Sequence, residues 1–456
     1  MDSNGDVDVV VLGLGAGGEL ASARLAQAGL RVVAVERGLV GGECPFAGCT
    51  PSKLAIRAAD LLAESRRASV LAGDVEVRPD WSRVAARIRE ANHDWDDASH
   101  VRPLEEAGVT VVRGHGRLAG PGRVVIESGD RLRELVAARG VVLDTGTDPD
   151  VPPVEGLAAT PYWTNREVVR VTEPPESLAV LGAGPIGVEL AQVFARFGVA
   201  VTLLETADRI LGGEEPESSE VVARALVADG VDVRTGVVLR RVDHDGCFRI
   251  VTDEGELSTE ALLVATGRRA NLDDLGLETV GLDPSAGRLT TDERMRVGER
   301  LWAVGDITGE GDYTHLSLYQ AGVAVRDILG EDGPWADYRA VSRVTFCDPE
   351  VGSVGMTEAL ARDAGLDVRV GRADLAGAAR GWIHGSGGDG LVKLVADAGR
   401  GVLVGASAVG PCGGEVLGLL AAAVHAEIPV ATLRQMHFAY PTFHRVVLAA
   451  LVDLGL

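Results

Sequence analysis

The stretch GGECPFAGCTPSK, Gly41 to Lys53, sets two cysteines five positions apart in a chain of 456 residues that has five cysteines in all. Cys44 and Cys49 are open to three chemistries at that spacing: a structural disulfide, a pair of metal ligands, or a dithiol that opens and closes. In a regular helix, residues five apart have Cα atoms roughly 8.5 Å apart, past the roughly 7 Å limit for a bridge. A bridge therefore requires the backbone between them to leave helical geometry, and Pro45 and Gly48 supply the means. A zinc site would need two further ligands nearby, and no second CxxC or paired histidine offers them, so no metal site is expected. Cys247, Cys347 and Cys412 are isolated and are expected to be buried structural thiols. Lys53 carries weight because the chain holds only two lysines, Lys53 and Lys393, against 42 arginines. Lysine is not filling surface positions here, so the ammonium of Lys53 is read as a placed charge, with an ordinary ion pair as the alternative.

Composition says what kind of object carries these residues. With 46% hydrophobic and 24% charged residues, the chain reads as a globular protein of two to four domains. A net charge of -23 argues against nucleic acid or an anionic membrane as partner. The start, MDSNGDVDVVVLGLGAGG, is acidic and broken by glycines, so neither an export signal nor a membrane span is expected there. The expected compartment is the cytoplasm, where a persistent structural disulfide is disfavoured.

The elements that position the cysteines come from an internal duplication. VVVLGLGAGGELASARLAQAGLRVVAVE, ending at Glu36, matches LAVLGAGPIGVELAQVFARFGVAVTLLE, ending at Glu205. Gly13, Gly15, Gly18, Gly29 and Glu36 correspond to Gly182, Gly184, Gly187, Gly198 and Glu205, each 169 positions on. Each copy reads as a buried strand, a glycine turn, an amphipathic helix and a second strand ending in an acid, the dinucleotide-binding βαβ unit. The first glycine makes the tight turn, the second admits a pyrophosphate to the backbone N–H groups, and the third lets helix pack on strand. The closing carboxylate accepts hydrogen bonds from a ribose. At Glu205 it would also repel a 2'-phosphate, which favours NADH over NADPH, although Arg209 stands close by. Two such sites suggest a redox enzyme with one resident and one exchanging cofactor. The cysteines follow Glu36 by eight residues, so whatever the first unit binds must sit beside them.

GGECPFAGCTPSK resembles the active-site segment of the flavoprotein pyridine nucleotide-disulfide oxidoreductases, the group with dihydrolipoamide dehydrogenase, glutathione reductase and mercuric reductase. The resemblance runs through nearly the whole chain. VLDTGTDP, Val142 to Pro149, and LLVATGRRAN, Leu262 to Asn271, look like the family's two crossovers between its FAD and NAD domains. LWAVGDIT, Leu301 to Thr308, looks like its second FAD segment, and FCDPEVGSVGMTE, Phe346 to Glu358, like the opening of its dimerisation domain. The resemblance implies an α/β fold of two doubly wound dinucleotide-binding domains, FAD and NAD, plus a C-terminal α+β dimerisation domain. The FAD domain would comprise residues 1–150 and 270–338, the NAD domain 151–269 and the interface domain 339–456. VKLVADAGRGVLVGASAVG, Val392 to Gly410, followed by the apolar pattern EVLGLLAAAVHA, reads independently as strands and a helix.

By this resemblance Cys44 and Cys49 are a redox pair, with Cys49 against the flavin and Cys44 the interchange thiol. Lys53 would stabilise reduced flavin or thiolate, paired with Glu189. Gly13, Gly15, Gly18, Glu36, Gly116, Thr145, Gly146 and Asp306 would bind FAD, the last at its ribityl chain. Gly182, Gly184, Gly187, Glu205 and Gly267 would bind NAD. A homodimer is implied, because the family draws the acid and base for the interchange thiol from the partner chain's C-terminal HxHPTxxE segment. Here that segment reads HFAYPTFHR, so Tyr440 stands for the histidine and Arg445 for the glutamate. A phenol is a poor base at neutral pH, and lipoamide turnover is expected to be low. His437 and His444 are nearby alternatives, each more simply read as a helix-edge or core histidine. Mercuric reductase carries a tyrosine at the corresponding place, but this chain ends in VDLGL without that enzyme's C-terminal cysteine pair.

The expected activity passes electrons from NAD(P)H through FAD and the cysteines to a small-molecule disulfide or another oxidant. Reduction of quinones or metal ions directly at the flavin, dihydrolipoamide dehydrogenase proper, and a non-catalytic nucleotide-sensing flavoprotein are the alternatives.

Overall fold

The apolar run VDVVVL forms β1 (Val7–Leu12), which leads through a glycine turn into α1 (Ala16–Gln27) and back into β2 (Val32–Glu36). The computed structural model describes residues 7–456, so the acidic MDSNGD start lies outside the described residues. A short α2 (Glu43–Phe46) and a long α3 (Cys49–Leu71) carry the cysteines. Then come β3 (Thr110–Arg113), β4 (His115–Leu118), β5 (Arg123–Ser128) and β6 (Arg131–Leu143).

The chain divides into two compact units. The first holds residues up to 51, 89–150 and 268–337. Its sheet places the strand Leu301–Ala303, β6, β1, β2 and β3 side by side and parallel. Alternate residues of β1 serve opposite cores, as a strand covered on both faces requires. Val9 and Val11 join Leu25 and Ala324, while Val10 and Leu12 join Leu143 and Ile307.

The second unit holds residues 52–88, 151–267 and 338–456. Its parallel sheet runs Asp232–Arg234, Ala200–Leu204, Ser177–Leu181, Ala261–Val264, with the helix Pro185–Arg196 following the second glycine turn. That helix starts and ends 169 positions after α1, so the duplication holds to the residue. An antiparallel five-stranded sheet includes Leu391–Asp397 and Val402–Gly410, followed by the helix Gly413–His425. Leu394, Leu403 and Ala406 of the strands share a core with Leu417 and Leu420 of that helix. The α/β architecture with a C-terminal α+β portion is the one expected. No helix among the described residues is long and apolar enough to cross a membrane.

Candidate active site

The two cysteines meet because the helix between them breaks. Ala47 leaves helical geometry at φ -142° and ψ 1°, and α3 starts afresh at Cys49. A Cβ on Gly48 would lie 3.0 Å from the Glu43 carbonyl oxygen and 3.3 Å from Cys44 Cα, so the bare glycine lets the chain double back over Cys44. Pro45 sits within the single turn of α2, where a missing N–H costs little, and the break falls after it. The Cys44 and Cys49 side chains are hydrogen-bonded. Cys44 is half-buried and Cys49 exposed. The hydrogen bond with Cys49, and then burial, push the Cys44 thiol far above its usual range. Cys49 is the first residue of a helix of 23 residues, and a helix N-terminus favours a thiolate.

A third side chain completes the cluster. Thr314 Oγ1 lies 3.6 Å from Cys49 Sγ and also hydrogen-bonds Cys44, an interaction that acts to lower the latter thiol. Thr314 is the first residue of the helix Thr314–Leu329. The segment is held from both ends. The Phe46 carbonyl accepts from Asn92 Nδ2 at 3.2 Å and from Trp95 Nε1 at 3.0 Å. Glu43, beside Cys44, accepts from the Arg268 guanidinium at 2.6 Å; Arg268 Nε in turn donates to Thr147 Oγ1 at 2.6 Å, and Thr147 to Asp306 Oδ2 at 2.8 Å. Burial raises the Asp306 carboxyl, and nearby Asp312 raises it further. Sequence reasoning missed Thr314, Arg268, Asn92 and Trp95. Arg268 alone had a signal, lying inside the crossover stretch LLVATGRRAN.

The two glycine turns are equivalent in detail. Gly13 and Gly182 have φ of +93° and +95°, and a Cβ there would fall 2.1 and 2.4 Å from a backbone carbonyl oxygen. At Gly18 and Gly187 a Cβ would strike the first glycine's carbonyl, at 2.1 and 1.9 Å. Gly15 and Gly184 stand before their helices with no cap from their own side chains, and the N-terminus of each helix suits an anionic ligand. Glu36 accepts from the N–H of Leu14 at 2.8 Å and of Gly38 at 2.6 Å; Glu205 accepts from Ala183 at 2.7 Å and Ala207 at 2.9 Å. The partners are again 169 apart, and in each carboxylate the oxygen bonded to the glycine-turn N–H, Oε2, retains a lone pair for a ribose hydroxyl. These cradles fit the diphosphate and ribose of a dinucleotide. Thr145 donates to the Asn271 carbonyl at 2.9 Å, while Asn271 Nδ2 donates back to the Thr145 carbonyl at 3.0 Å, tying the chain before Gly146 to the residue that follows the strand Arg268–Ala270. Gly116, on β4, presses against Leu12 and Val35, where a Cβ would lie 2.6 Å from Leu12. Gly267 is exposed at φ +135°.

In the second unit Lys53 Nζ lies 2.7 Å from Glu189 Oε2, and the other oxygen of Glu189 accepts from Phe346 N at 2.8 Å. The ammonium also stands 4.8 Å from the centroid of the Phe346 ring. Tyr440 lies on an exposed segment, with the Arg445 guanidinium 5.6 Å from its ring centroid. His437 is exposed and His444 opens the last helix, half-buried. Two of the isolated cysteines correct the expectation: Cys347 is buried, but Cys247 and Cys412 are exposed. Cys247 sits in the tight turn before the strand Phe248–Thr252 and Cys412 just before the helix Gly413–His425, and neither place is covered.

A dithiol beside one of two dinucleotide cradles defines a class, and the whole-chain comparisons agree. The model for pyridine nucleotide-disulphide oxidoreductase matches residues 7–326, and that for the family's dimerisation domain matches residues 341–450. The chain belongs to this family, whose members bind FAD and pyridine nucleotides, and the dimerisation domain indicates a homodimer. It is 32% identical to mercuric reductase of Shigella flexneri, over 96% of this chain and 79% of that one. It is 31% identical to dihydrolipoyl dehydrogenase of Chlorobaculum tepidum, over 98% and 96%. Among solved structures it is similar to the Cu(II) complex of the HOCl-induced flavoprotein disulfide reductase RclA from Escherichia coli. The TM-score is 0.86, with 26% identity over 98% of this chain and 99% of that one.

Proposed function

We propose that this oxidoreductase passes electrons from NADH, through FAD, to the Cys44–Cys49 disulfide and on to a small-molecule disulfide or related oxidant. The observation that carries the reading is the asymmetric placement of the pair: Cys44 is half-buried, while the exposed Cys49 opens α3, 3.6 Å from the Thr314 hydroxyl. FAD, when bound, supplies the two-electron relay between nicotinamide and sulfur. The residues of this chain do the rest. Gly13, Gly15, Gly18, Glu36, Gly116, Thr145, Gly146 and Asp306 hold the flavin nucleotide. Gly182, Gly184, Gly187, Glu205 and Gly267 hold the nicotinamide nucleotide. Residues 1–150 with 270–338 form the FAD domain, 151–269 the NAD domain and 339–456 the dimer interface.

Cys49 keeps the charge and faces the flavin; Cys44 attacks the substrate. Lys53, one helical turn after Cys49 on α3, balances negative charge and is itself held by Glu189. NADH is the better reductant because Glu205 leaves no room for a 2'-phosphate and Arg209 is engaged with the carbonyls of Leu211 and Gly212. Tyr440 of one protomer serves the dithiol of its partner, as a proton donor rather than a base.

Replacing each thiol tests the assignment. C49S should abolish the long-wavelength absorbance of a thiolate beside flavin, whereas C44S should keep it and stop disulfide reduction. A second reading, reduction of a metal ion or quinone directly at the flavin, is favoured by Tyr440 and by the mercuric reductase relatives. Wild-type rates on the native oxidant in both variants would establish that reading and refute the first.

A further inference from the structure

The two glycine turns differ in what lies behind them. Gly13 packs on the backbone of Asp144 and Thr145, and Gly182 on that of Ala265 and Thr266. A carboxyl therefore stands behind the first turn where the second has a methyl. The Asp144 side chain points into the turn. Its Oδ2 accepts from Gly18 N at 2.7 Å, and its Oδ1 lies 3.5 Å from Ser317 Oγ. A Cβ on Gly15, Gly17 or Gly305 would come within 2.9, 3.2 or 2.5 Å of this carboxyl. Asp144 thus joins the end of β6 to the start of α1, to the Gly305 segment and to the helix Thr314–Leu329.

The charges around it are all of one sign. The titratable groups facing it are Glu36, at the end of β2, and Asp306, next to Gly305. The turn offers the Gly18 N–H and the Thr314–Leu329 helix the Ser317 hydroxyl; among the described residues no basic side chain pairs with Asp144. A buried carboxylate with one good donor and two acidic neighbours costs several kcal/mol, which retention of a proton removes. Burial accordingly raises this carboxyl well above the usual range. A diphosphate at the N-terminus of α1 adds further negative charge beside it.

We propose that Asp144, carrying its proton, is a retention element for FAD, locking the glycine turn around the cofactor and loosening it when the proton is lost to solvent. This rests on the reading of the first turn as the FAD site. The second turn, read as the site of the exchanging nucleotide, has Ala265 there and no such lock.

The test follows FAD release from diluted holoenzyme by flavin fluorescence between pH 7 and alkaline pH. For loss of one proton per FAD released, the dissociation constant of wild type should climb toward tenfold per pH unit on the alkaline side. D144N, which keeps an oxygen for Gly18 and cannot ionise, should hold FAD as tightly as wild type does at neutral pH and show no such climb. Identical pH profiles for wild type and D144N, or a flat wild-type profile, overturn the proposal. Should D144N not fold, calorimetry of FAD rebinding to wild type in buffers of different ionisation enthalpy decides alone: proton uptake at alkaline pH supports the proposal, and none overturns it. A yellow protein with pH-independent retention refutes Asp144 alone, whereas a protein that binds no FAD refutes the cofactor reading as well.

Discussion

Removing the ammonium of Lys53 should damage the protein more than neutralising its partner. Glu189 is only 4% exposed, and its carboxylate is satisfied by Lys53 Nζ and Phe346 N. In K53M that carboxylate keeps one N–H and loses its counter-ion. Breaking a fully buried pair in this way costs about 3–5 kcal/mol. Lys53 is itself 35% exposed, so water reaches the pair from one side and the cost falls below that range, to about 2–3 kcal/mol. E189Q keeps an amide oxygen for Phe346 N and leaves Lys53 to be hydrated, at a cost of about 1–2 kcal/mol for one charge-assisted hydrogen bond. The double variant K53M/E189Q removes the stranded charge and should be more stable than K53M alone, a sign that ordinary additivity cannot produce. Urea unfolding followed by tryptophan fluorescence suits the measurement, since Trp81 stacks 4.9 Å from Phe194 on the helix that carries Glu189. Equal losses in the two single variants, or a double variant no more stable than K53M, would refute the argument.

Three further outcomes are expected. T314V, which removes the hydroxyl touching both thiols, should move the pH profile of Cys49 alkylation upward by roughly one unit, because the thiolate loses a donor; an unmoved profile refutes the role given to Thr314. E205A should lower kcat/KM for NADH by roughly tenfold and narrow the preference over NADPH, since ribose acceptor and repulsion go together; a wild-type enzyme that prefers NADPH contradicts the assignment. Burial pushes the Asp60 carboxyl up to about 6, with Arg196 opposing it, against about 3.9 when unfolded. Between those values the folded state holds a proton that the unfolded chain has lost, so this group's contribution to stability grows as pH falls from 7 through 6 and is complete below the unfolded value. The urea midpoint of D60N should therefore gain less than that of wild type between pH 7.5 and pH 5, and an equal or larger gain would show the sign to be wrong.

What the sequence made legible was whatever depends on spacing within one element. The duplication predicts two βαβ units 169 apart, and the helices, the left-handed glycines and even the N–H groups that bind Glu36 and Glu205 repeat at that interval. A tight turn, a close helix–strand approach and a carboxylate at a strand end are local demands, each met by one residue type. The apolar helix after Gly410 was readable for the same reason. The cysteine pair was half legible. The spacing excluded a regular helix, but only the fold locates the break at Ala47 and Gly48 rather than at Pro45.

The residues that set the chemistry of the pair were beyond such reading, because they arrive from far along the chain. Thr314 reaches Cys49 across 265 positions and Arg268 reaches Glu43 across 225. No periodicity links residues so separated. Even exposure escaped it, as Cys247 and Cys412 show, since an isolated cysteine's surroundings depend on what folds over it. Asp144 is the sharpest instance. In the stretch VLDTG it reads as one acid at the end of an apolar strand, where a carboxylate would ordinarily face water. The sheet instead places it behind a turn formed 126 positions earlier, against Gly18 and beside two other acids. The internal repeat supplies the contrast that a single copy cannot: the same turn closes over Ala265 in the second unit, so the fold does not require a carboxyl there. What the fold does not require, and burial penalises, calls for a role in what the site holds.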